Sequence, residues 1–455
     1  MLIYFIVIHM LKGLSIISAL IAVLVGYLIY QLHKVPDVPK LDYNRWWGEG
    51  PPQPDDKAIT RFDIEFKDEM IKDLRTRIRN RRPFTRPMEG IQSQYGINTV
   101  YLDKILNYWQ DEYDFKKRAA LLNRYPGYKT RIQGLDIHYV HAKSSAKNLV
   151  PILLMHGWPS SSKEFDMVIP LLVENRKQYD FGFEVIAVDL PGYGYSQGTN
   201  KPGMNPLQIG IIMHNLMKRL GFKQYYIHAG DWGSQVGTHM ITLFQDEILG
   251  FHTNMPLSVR SISALKNIVG SIFFPSLLVE EQFLNRFAPF EDIVRYLIRE
   301  SGYFHLQATK PDTIGAALTD TPVGMAAYLL EKIGIVCNRD QTDTPHGGLE
   351  SVHLDDLIDT LNIMWATGHI TTATRLYSEA LSWPEVFIVH EIPTYVPTAV
   401  INFRYEVVFQ PDWVLRDKFH NLVRSTTVNY GGHFAALQNP KELAADIYES
   451  VSLFR

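Results

Sequence analysis

The chain has 455 residues, of which 46% are hydrophobic and 20% charged, and its net charge is −3. This composition is typical of a folded globular protein rather than a disordered chain. The length suits either about three average domains or one large domain that carries an insertion. A slightly negative charge without a basic domain argues against nucleic acid as a partner. Cys337 is the single cysteine, which excludes an intrachain disulfide.

An uncharged apolar run, GLSIISALIAVLVGYLIY, occupies Gly13–Tyr30. Its length is close to the about 20 residues that cross a bilayer. A cleaved signal peptide is the alternative, but its apolar core is usually about 7–15 residues long and ends at a small-residue cleavage site. The sequence YLIYQLHKVPDVP offers no such site, so we expect residues 1–34 to be a single-pass membrane anchor. Basic residues are more frequent in residues 34–45 than before the run, which predicts a cytoplasmic location for the rest of the chain.

Residues 35–127 are predicted to form a linker and an N-terminal helical segment that wraps the core. Prolines and the lack of a helical period indicate an extended linker at its start. We expect Trp46 and Trp47 in this linker to dock on the globular body rather than at a membrane interface. Two amphipathic helices follow, and the first ends before Pro83. Their apolar positions are Met70, Ile71, Leu74 and Ile78, then Leu102, Ile105, Leu106 and Trp109.

Short apolar strands alternate with helices over residues 128–265, the first part of the predicted core. This alternation predicts an α/β fold with a mostly parallel central sheet and helices on both faces. Strand patterns vanish after Leu265 and return at Ala399–Phe403. Residues 266–392 are therefore predicted to be a helical cap over the active site, and residues 393–455 the second part of the core.

The segment YYIHAGDWGSQVG has the small–x–nucleophile–x–small layout of a nucleophile elbow, the strand-to-helix turn of α/β-hydrolases. Asp231 stands at the nucleophile position, which usually holds serine. Sites in open parallel sheets form at the carboxyl ends of the strands. Glu406 lies just past the strand at Ala399–Phe403, and His433 lies in a glycine-rich loop before a helix. The order Asp231, Glu406, His433 matches the nucleophile–acid–base order of this fold.

The backbone N–H groups of Trp158, in the motif HGWP, and of Trp232 are predicted to form an oxyanion hole. The acid is the least determined member of the site. Other carboxylates in the same region are Glu385, Glu391 and Asp412.

A carboxylate nucleophile indicates a particular chemistry. It is already ionised at neutral pH, and attack on an sp³ carbon produces an alkyl–enzyme ester. A histidine oriented by an acid is then free to activate water against the ester carbonyl. Epoxides and haloalkanes both suit this scheme: an epoxide needs an acid such as a cap tyrosine, whereas a halide needs weak donors such as indole N–H groups. Neither reaction requires a cofactor or a metal, and none is predicted.

Several motifs together resemble the microsomal-type epoxide hydrolases, and the resemblance covers nearly the whole chain. The stretches RYEVVFQPDWVLRDKF and GGHFAALQNP are most similar to the insect juvenile hormone epoxide hydrolases. The motifs that carry the wider resemblance are HGWP, AGDWG, ESGY at Glu300–Tyr303, RLY at Arg375–Tyr377, YGGHFAAL at Tyr430–Leu437 and the WWG linker. The resemblance implies an α/β-hydrolase fold with a helical cap, anchored by its N-terminus in the endoplasmic reticulum membrane. It further implies conversion of lipophilic epoxides, either juvenile hormone or xenobiotics, to vicinal diols.

The family's catalytic positions carry over to Asp231, Glu406 and His433, and its cap tyrosines to Tyr303 and Tyr377. Ala229 stands where relatives often have glycine, and RYE precedes the acid where some members have an aromatic–Pro–x–Glu run. A haloalkane dehalogenase and a catalytically silent protein that binds a lipophilic hormone are the alternatives. The sequence leaves open the choice between juvenile hormone and xenobiotic substrates, and the oligomeric state.

Overall fold

The structure is a computed structural model that describes residues 1–455, except for the side chains of residues 2–8, 10, 11, 13, 14, 17 and 25. The strands are β1 (Ile59–Phe62), β2 (Gly127–Ile132), β3 (Leu135–Lys143), β4 (Leu149–Met155), β5 (Gly182–Val188), β6 (Tyr225–Ala229), β7 (Ile248–Thr253), β8 (Thr398–Tyr405) and β9 (Leu422–Gly432). The helices before the last core strands are α1 (Leu2–His33), α2 (Asp68–Arg79), α3 (Thr99–Asp111), α4 (Phe115–Leu122), α5 (Ile169–Val173), α6 (Pro206–Arg219), α7 (Asp231–Leu243), α8 (Ser261–Phe273), α9 (Pro275–Leu278), α10 (Phe290–Glu300), α11 (Gly302–Thr309), α12 (Pro311–Asp320), α13 (Pro322–Cys337), α14 (Leu354–Thr367), α15 (Ile370–Ser382) and α16 (Pro384–Glu391). The last helices are α17 (Asp412–Leu415), α18 (Ala435–Gln438) and α19 (Pro440–Phe454).

One nine-stranded sheet has the order β1-β2-β3-β5-β4-β6-β7-β8-β9. The pairs from β1 to β5 are antiparallel, and every pair from β5 onward is parallel. The prediction of a mostly parallel sheet is confirmed. Because β4 lies between β5 and β6, the chain leaves β4 in one direction and returns on its other side. Such a reversal of strand order opens a crevice at the carboxyl ends of the strands.

Both faces of the sheet are covered by helices. Successive side chains of a strand point to opposite faces. In β4, Leu153 and Met155 belong to the apolar cluster that includes α6 and α7, whereas Ile152 and Leu154 belong to the cluster that includes α5 and α19. All four side chains are 0% exposed. A strand buried on both faces of the sheet has a continuous run of apolar residues, which is why β4 shows no alternation of apolar and polar residues.

The chain between β7 and β8 is helical, as predicted, from α8 to α16. Its first helix starts at Ser261, slightly before the predicted boundary at residue 266. The His433 region differs from the prediction of a glycine-rich loop, because β9 extends through Gly432 and His433 follows it directly. Gly431 adopts a φ of 70° there, which lets the strand bend without ending its pairing with β8.

The linker docks on the body of the protein. Trp47 is 1% exposed, and its backbone N–H donates to the Gln133 carbonyl at 2.9 Å. The guanidinium of Arg45 covers the Trp47 ring at 4.2 Å from its centroid. The prediction that these tryptophans dock on the body is confirmed for Trp47.

The N-terminal helices α2–α4 are attached to the cap by a buried charge cluster. Arg118 of α4 pairs with Asp356 at 2.7 Å and also with Asp359, both on α14. The Lys163 amine pairs with Asp356 at 2.8 Å, and the Tyr113 hydroxyl donates to Asp359 at 2.5 Å. The cluster therefore connects the N-terminal segment, the cap and the short turn that follows the HGWP loop.

Among the residues whose side chains are described, no helix is long and apolar enough to cross a membrane. The anchor predicted for residues 1–34 falls partly on side chains outside the described ones.

Asp359→Ala should lower the free energy of unfolding by about 3 kcal/mol, because it leaves the Arg118 and Lys163 cations to share the Asp356 carboxylate and removes the partner of the Tyr113 hydroxyl. Urea unfolding followed by fluorescence measures this change. Asp343→Ala, at an exposed position of the cap, is the control and should stay within about 0.5 kcal/mol of the original protein. Equal stabilities of the two variants would contradict a structural role for the cluster.

Candidate active site

Three predicted catalytic side chains meet at the carboxyl ends of three strands. Asp231 follows β6, Glu406 follows β8 and His433 follows β9. The His433 Nε2 atom lies 3.3 Å from Asp231 Oδ2, and His433 Nδ1 lies 2.5 Å from Glu406 Oε1. The imidazole thus stands between two carboxylates, with Nδ1–H donating to Glu406.

Asp231 occupies a tight turn. Its φ is 46°, in the left-handed region that residues other than glycine seldom adopt. The turn brings the carboxylate against the HGWP loop, where the Trp158 backbone N–H donates to Asp231 Oδ1 at 2.7 Å. Trp232 is the next residue at the start of α7, where backbone N–H groups have no partner within the helix. The two residues predicted for the oxyanion hole therefore flank the carboxylate.

Glycines make the turn possible. A Cβ atom on Gly157 would overlap Asp231 Oδ1, and one on Gly233 would overlap the Met155 and His156 carbonyls. The backbones of the HGWP loop and the elbow approach each other closely only because these side chains are missing. Gly157 belongs to the HGWP motif, but the sequence alone did not predict the contact of Gly157 with Asp231.

Glu406 is fixed by contacts from several elements. Its carboxylate accepts from the Val407 backbone N–H at 2.6 Å and from Asn254 Nδ2 at 3.5 Å. Asn254 also donates to the His433 carbonyl at 3.2 Å, and the guanidinium of Arg286 donates to the Glu406 carbonyl. Sequence reasoning missed Asn254 and Arg286, since neither belongs to a recognisable motif.

The other candidate acids lie elsewhere. Glu391 accepts from the Ser261 backbone N–H at 2.8 Å, and Asp412 accepts from the Ser425 hydroxyl at 2.7 Å. Glu385 lies in α16, on the cap. Glu406 is the one of these carboxylates that the structure pairs with His433.

The charges around His433 determine its protonation. Burial alone lowers the pKa of the imidazole, but the charge of Glu406 and hydrogen bonds to Asp231 and Glu406 outweigh burial and hold the pKa well above its usual value. The imidazole is therefore a cation at neutral pH while Asp231 carries its charge. A further carboxyl, Glu164, lies nearby at 8% exposure, and burial raises its pKa to about 7. Sequence reasoning missed Glu164 as well.

Tyr303 and Tyr377 come from two cap helices, α11 and α15. The Tyr303 ring stacks on Trp158 with centroids 5.4 Å apart, and the Tyr377 ring packs edge-on against Trp232 at 4.9 Å. The two tyrosine rings are 6.1 Å apart. Burial, followed by the Asp231 charge, raises the pKa of Tyr303; burial, Tyr303 and Asp231 raise that of Tyr377. Both phenols keep their protons at neutral pH and are O–H donors.

Asp231, Tyr303 and Tyr377 line one cavity of about 230 Å³. Most of its wall is apolar, and its exposed rim includes Val259, Leu381 and Phe387. Among the described residues, no cluster of His, Cys, Asp and Glu could hold a metal ion.

Comparisons with known proteins agree with this architecture. The model of the epoxide hydrolase N terminus matches residues 59–165, and that of the alpha/beta hydrolase fold matches residues 150–288. The chain is 59% identical over 450 residues to the juvenile hormone epoxide hydrolase of Manduca sexta, covering 98% of this chain and 97% of that protein. It is 40% identical over 453 residues to epoxide hydrolase 1 of Oryctolagus cuniculus, covering 96% of this chain and 99% of that protein. The crystal structure of juvenile hormone epoxide hydrolase from Bombyx mori superposes with a TM-score of 0.88 at 42% identity, covering 91% of this chain and 99% of that one.

The fold, the elbow and the helical cap define an α/β-hydrolase, with a carboxylate where many relatives use serine. Within that class, the chain belongs to the epoxide hydrolases. The resemblance found in its motifs is confirmed.

Gly157→Ala should lower the rate of ester formation on Asp231 about 100-fold, because the new methyl group displaces the carboxylate and such misplacements have about this effect. Rapid-quench measurements with styrene oxide give the rate. Gly302→Ala is the matched control, since a Cβ there meets open space beside Tyr303. Comparable rates in the two variants would show that the close approach at Gly157 does not position the nucleophile.

Proposed function

We propose that the protein converts lipophilic epoxides to vicinal diols through a covalent ester on Asp231. The observation that carries the proposal is the shared cavity, in which one ionised carboxylate faces two protonated tyrosines. Opening an epoxide needs both a nucleophile for a ring carbon and an acid for the ring oxygen. The apolar wall favours substrates without charge.

In the first step, one Asp231 carboxylate oxygen attacks a ring carbon and the C–O bond of the ring breaks. The electron pair of that bond moves to the ring oxygen, which takes a proton from Tyr303 or Tyr377. The product is a hydroxyalkyl ester of Asp231. His433 is not required as a base in this step.

In the second step, His433 removes a proton from water, which attacks the ester carbonyl carbon. Esterification removes the negative charge of Asp231 and with it one of the interactions that raise the His433 pKa. The imidazole can then release its proton, which replaces the proton that the tyrosine gave to the ring oxygen, and act as a base, held in place by Glu406. The Trp158 N–H, which contacts Asp231 Oδ1, is placed to stabilise the oxyanion that forms there. Collapse of the tetrahedral intermediate breaks the bond to the diol oxygen, which takes a proton from the His433 imidazolium. The diol leaves, and the carboxylic acid left on Asp231 passes its proton to His433, which restores the carboxylate and the imidazolium.

Two alternatives make different predictions. A haloalkane dehalogenase would use indole N–H groups for the halide, but Tyr303 and Tyr377 line the cavity together with Trp232. A silent hormone-binding protein would not need the Asp231–His433–Glu406 contacts.

Incubation with styrene oxide and with 1-chlorohexane should yield diol from the first and no halide from the second. Halide release without diol would contradict the proposal.

We also propose juvenile hormone as a substrate. Support comes from the 59% identity to a relative named juvenile hormone epoxide hydrolase. The kcat/KM for juvenile hormone should exceed that for styrene oxide when the two are measured side by side. A higher value for styrene oxide would favour xenobiotic epoxides instead.

For the location of the protein, we propose single-pass attachment to the endoplasmic reticulum membrane, with the catalytic domain on the cytoplasmic side. The uncharged run at Gly13–Tyr30 supports attachment. A second apolar surface, on α8 and α9, lies next to α1. Its exposed residues are Leu265, Ile268, Ile272, Phe273, Phe274 and Leu277.

Deletion of residues 1–34 should release the protein from microsomal membranes while it keeps epoxide hydrolysis, because the sheet begins only at β1. Sedimentation of membranes and diol formation by the supernatant measure both effects. Complete retention of the truncated protein on membranes would show that another surface is sufficient for attachment.

The pH dependence should differ between the free enzyme and the ester. Hydrolysis of the ester needs neutral His433, and its rate should fall only at a pH below that at which His433 of the free enzyme titrates. Single-turnover decay of the ester at a series of pH values gives the pH at which hydrolysis slows. NMR of the imidazole gives the pH at which His433 titrates in the free enzyme, with His433→Gln as the assignment control. Coincident titrations would contradict the proposed release of the proton on esterification.

A further inference from the structure

The backbone of the catalytic base is hydrogen-bonded to the cap. The His433 N–H donates to the Val336 carbonyl at 3.0 Å. Val336 lies in the last turn of the cap helix α13, and the last four carbonyl groups of a helix have no partner within it. The cap therefore contacts the base directly, in addition to supplying Tyr303 and Tyr377 to the cavity.

Gln438, the last residue of α18, adds a second connection at the same place. Its Oε1 accepts from the Gly432 N–H at 3.1 Å, and its Nε2 donates to the Cys337 carbonyl at 3.2 Å. The same Nε2 also donates to the Ser351 hydroxyl at 2.9 Å. One amide thus joins the residue before the base, the end of α13 and a turn of the cap that precedes α14.

The two glycines before the catalytic histidine make room for these contacts. A Cβ atom on Gly432 would overlap the Val336 and Cys337 carbonyls. A Cβ atom on Gly431 would overlap the side chain of Asn439, the residue after Gln438. The end of α13 and the end of α18 therefore pack directly against the segment that carries the base. In the motif YGGHFAALQNP, the glycines and the amide thus belong to one set of contacts around the histidine.

The two steps of the reaction differ in how much they depend on the position of the imidazole. Ester formation needs the Asp231 carboxylate and a cap tyrosine but no base. Ester hydrolysis needs His433 within reach of both a water molecule and the ester carbonyl, and a displacement of about 1 Å can lower such a rate about 100-fold. A residue that fixes the His433 backbone therefore acts mainly on the second step.

We propose that Gln438 is a positioning residue for His433, which connects the base to α13 and keeps it aligned for hydrolysis of the Asp231 ester. Glu406 orients the ring through Nδ1. Gln438 fixes the backbone that carries this ring, through the N–H of the preceding residue. The inference rests on the proposed epoxide hydrolysis and assigns Gln438 a part in its second step.

The test follows the Asp231 ester in single turnovers with enzyme in excess over styrene oxide. Gln438→Met keeps the length of the side chain but removes the acceptor and the donor. Its ester should form at the original rate and decay about tenfold more slowly, less than the about 100-fold effect of a full misplacement because Glu406 still holds the ring. Rapid quench and mass spectrometry of the Asp231 peptide give both rates.

Two further variants serve as controls. Gln53→Met makes the same change at an exposed position before β1 and should leave both rates unchanged. Gln438→Glu keeps an acceptor for the Gly432 N–H and should restore most of the lost rate of ester decay. If Gln438→Met does not fold, Ser351→Ala removes one acceptor of the Gln438 amide and should slow decay alone.

Unchanged ester decay in Gln438→Met, or in Ser351→Ala where that variant replaces it, would overturn the inference. Equal slowing of ester formation and decay would also overturn it, because a general loss of structure affects both steps. Failure of the original protein to form any ester on Asp231 would instead contradict the proposed function, so the two failures are distinguishable.

Discussion

The site depends on the left-handed turn at Asp231. A residue other than glycine in this conformation costs about 1–3 kcal/mol and persists only where its surroundings fix it. Here the surroundings are the strand β6, the first turn of α7 and the glycine-lined approach of the HGWP loop at Gly157. The turn directs the carboxylate away from the sheet, toward His433 on one side and the cap tyrosines on the other. Without it, the carboxylate could not reach the Trp158 N–H and His433 together.

The second constraint is electrostatic. One imidazole between two carboxylates is a stable ion triplet, and it holds His433 as a cation in the free enzyme. This arrangement suits a reaction in which the nucleophile needs no base. Loss of the Asp231 charge on esterification then changes the same histidine into a base for the second step. The order of the two steps therefore follows from the charges rather than from movement of the protein.

Parts of this architecture could be predicted because they depend on local sequence. The sheet follows from short apolar runs that alternate with helices, and the helical insertion follows from the loss of such runs after Leu265. The positions of Asp231 and Glu406 follow from their places at strand ends. Other parts depend on distant segments and carry no local signal. The contacts of Asn254 and Arg286 with the acid, for example, arise only when segments that are distant in the chain come together. Similarly, the sequence alone could not decide which carboxylate of this region pairs with His433. Only the hydrogen-bond partners in the structure distinguish Glu406 from the others.

The most direct test of the account asks which oxygen enters the diol. In a single turnover with enzyme in excess in heavy-oxygen water, the account predicts an unlabelled first diol, because its new oxygen comes from the Asp231 carboxylate. The peptide that contains Asp231 should then carry the solvent label, since water replaces the oxygen lost to the diol. Solvent label in the first diol, with an unlabelled Asp231 peptide, would show that Asp231 activates water directly and would contradict the covalent mechanism.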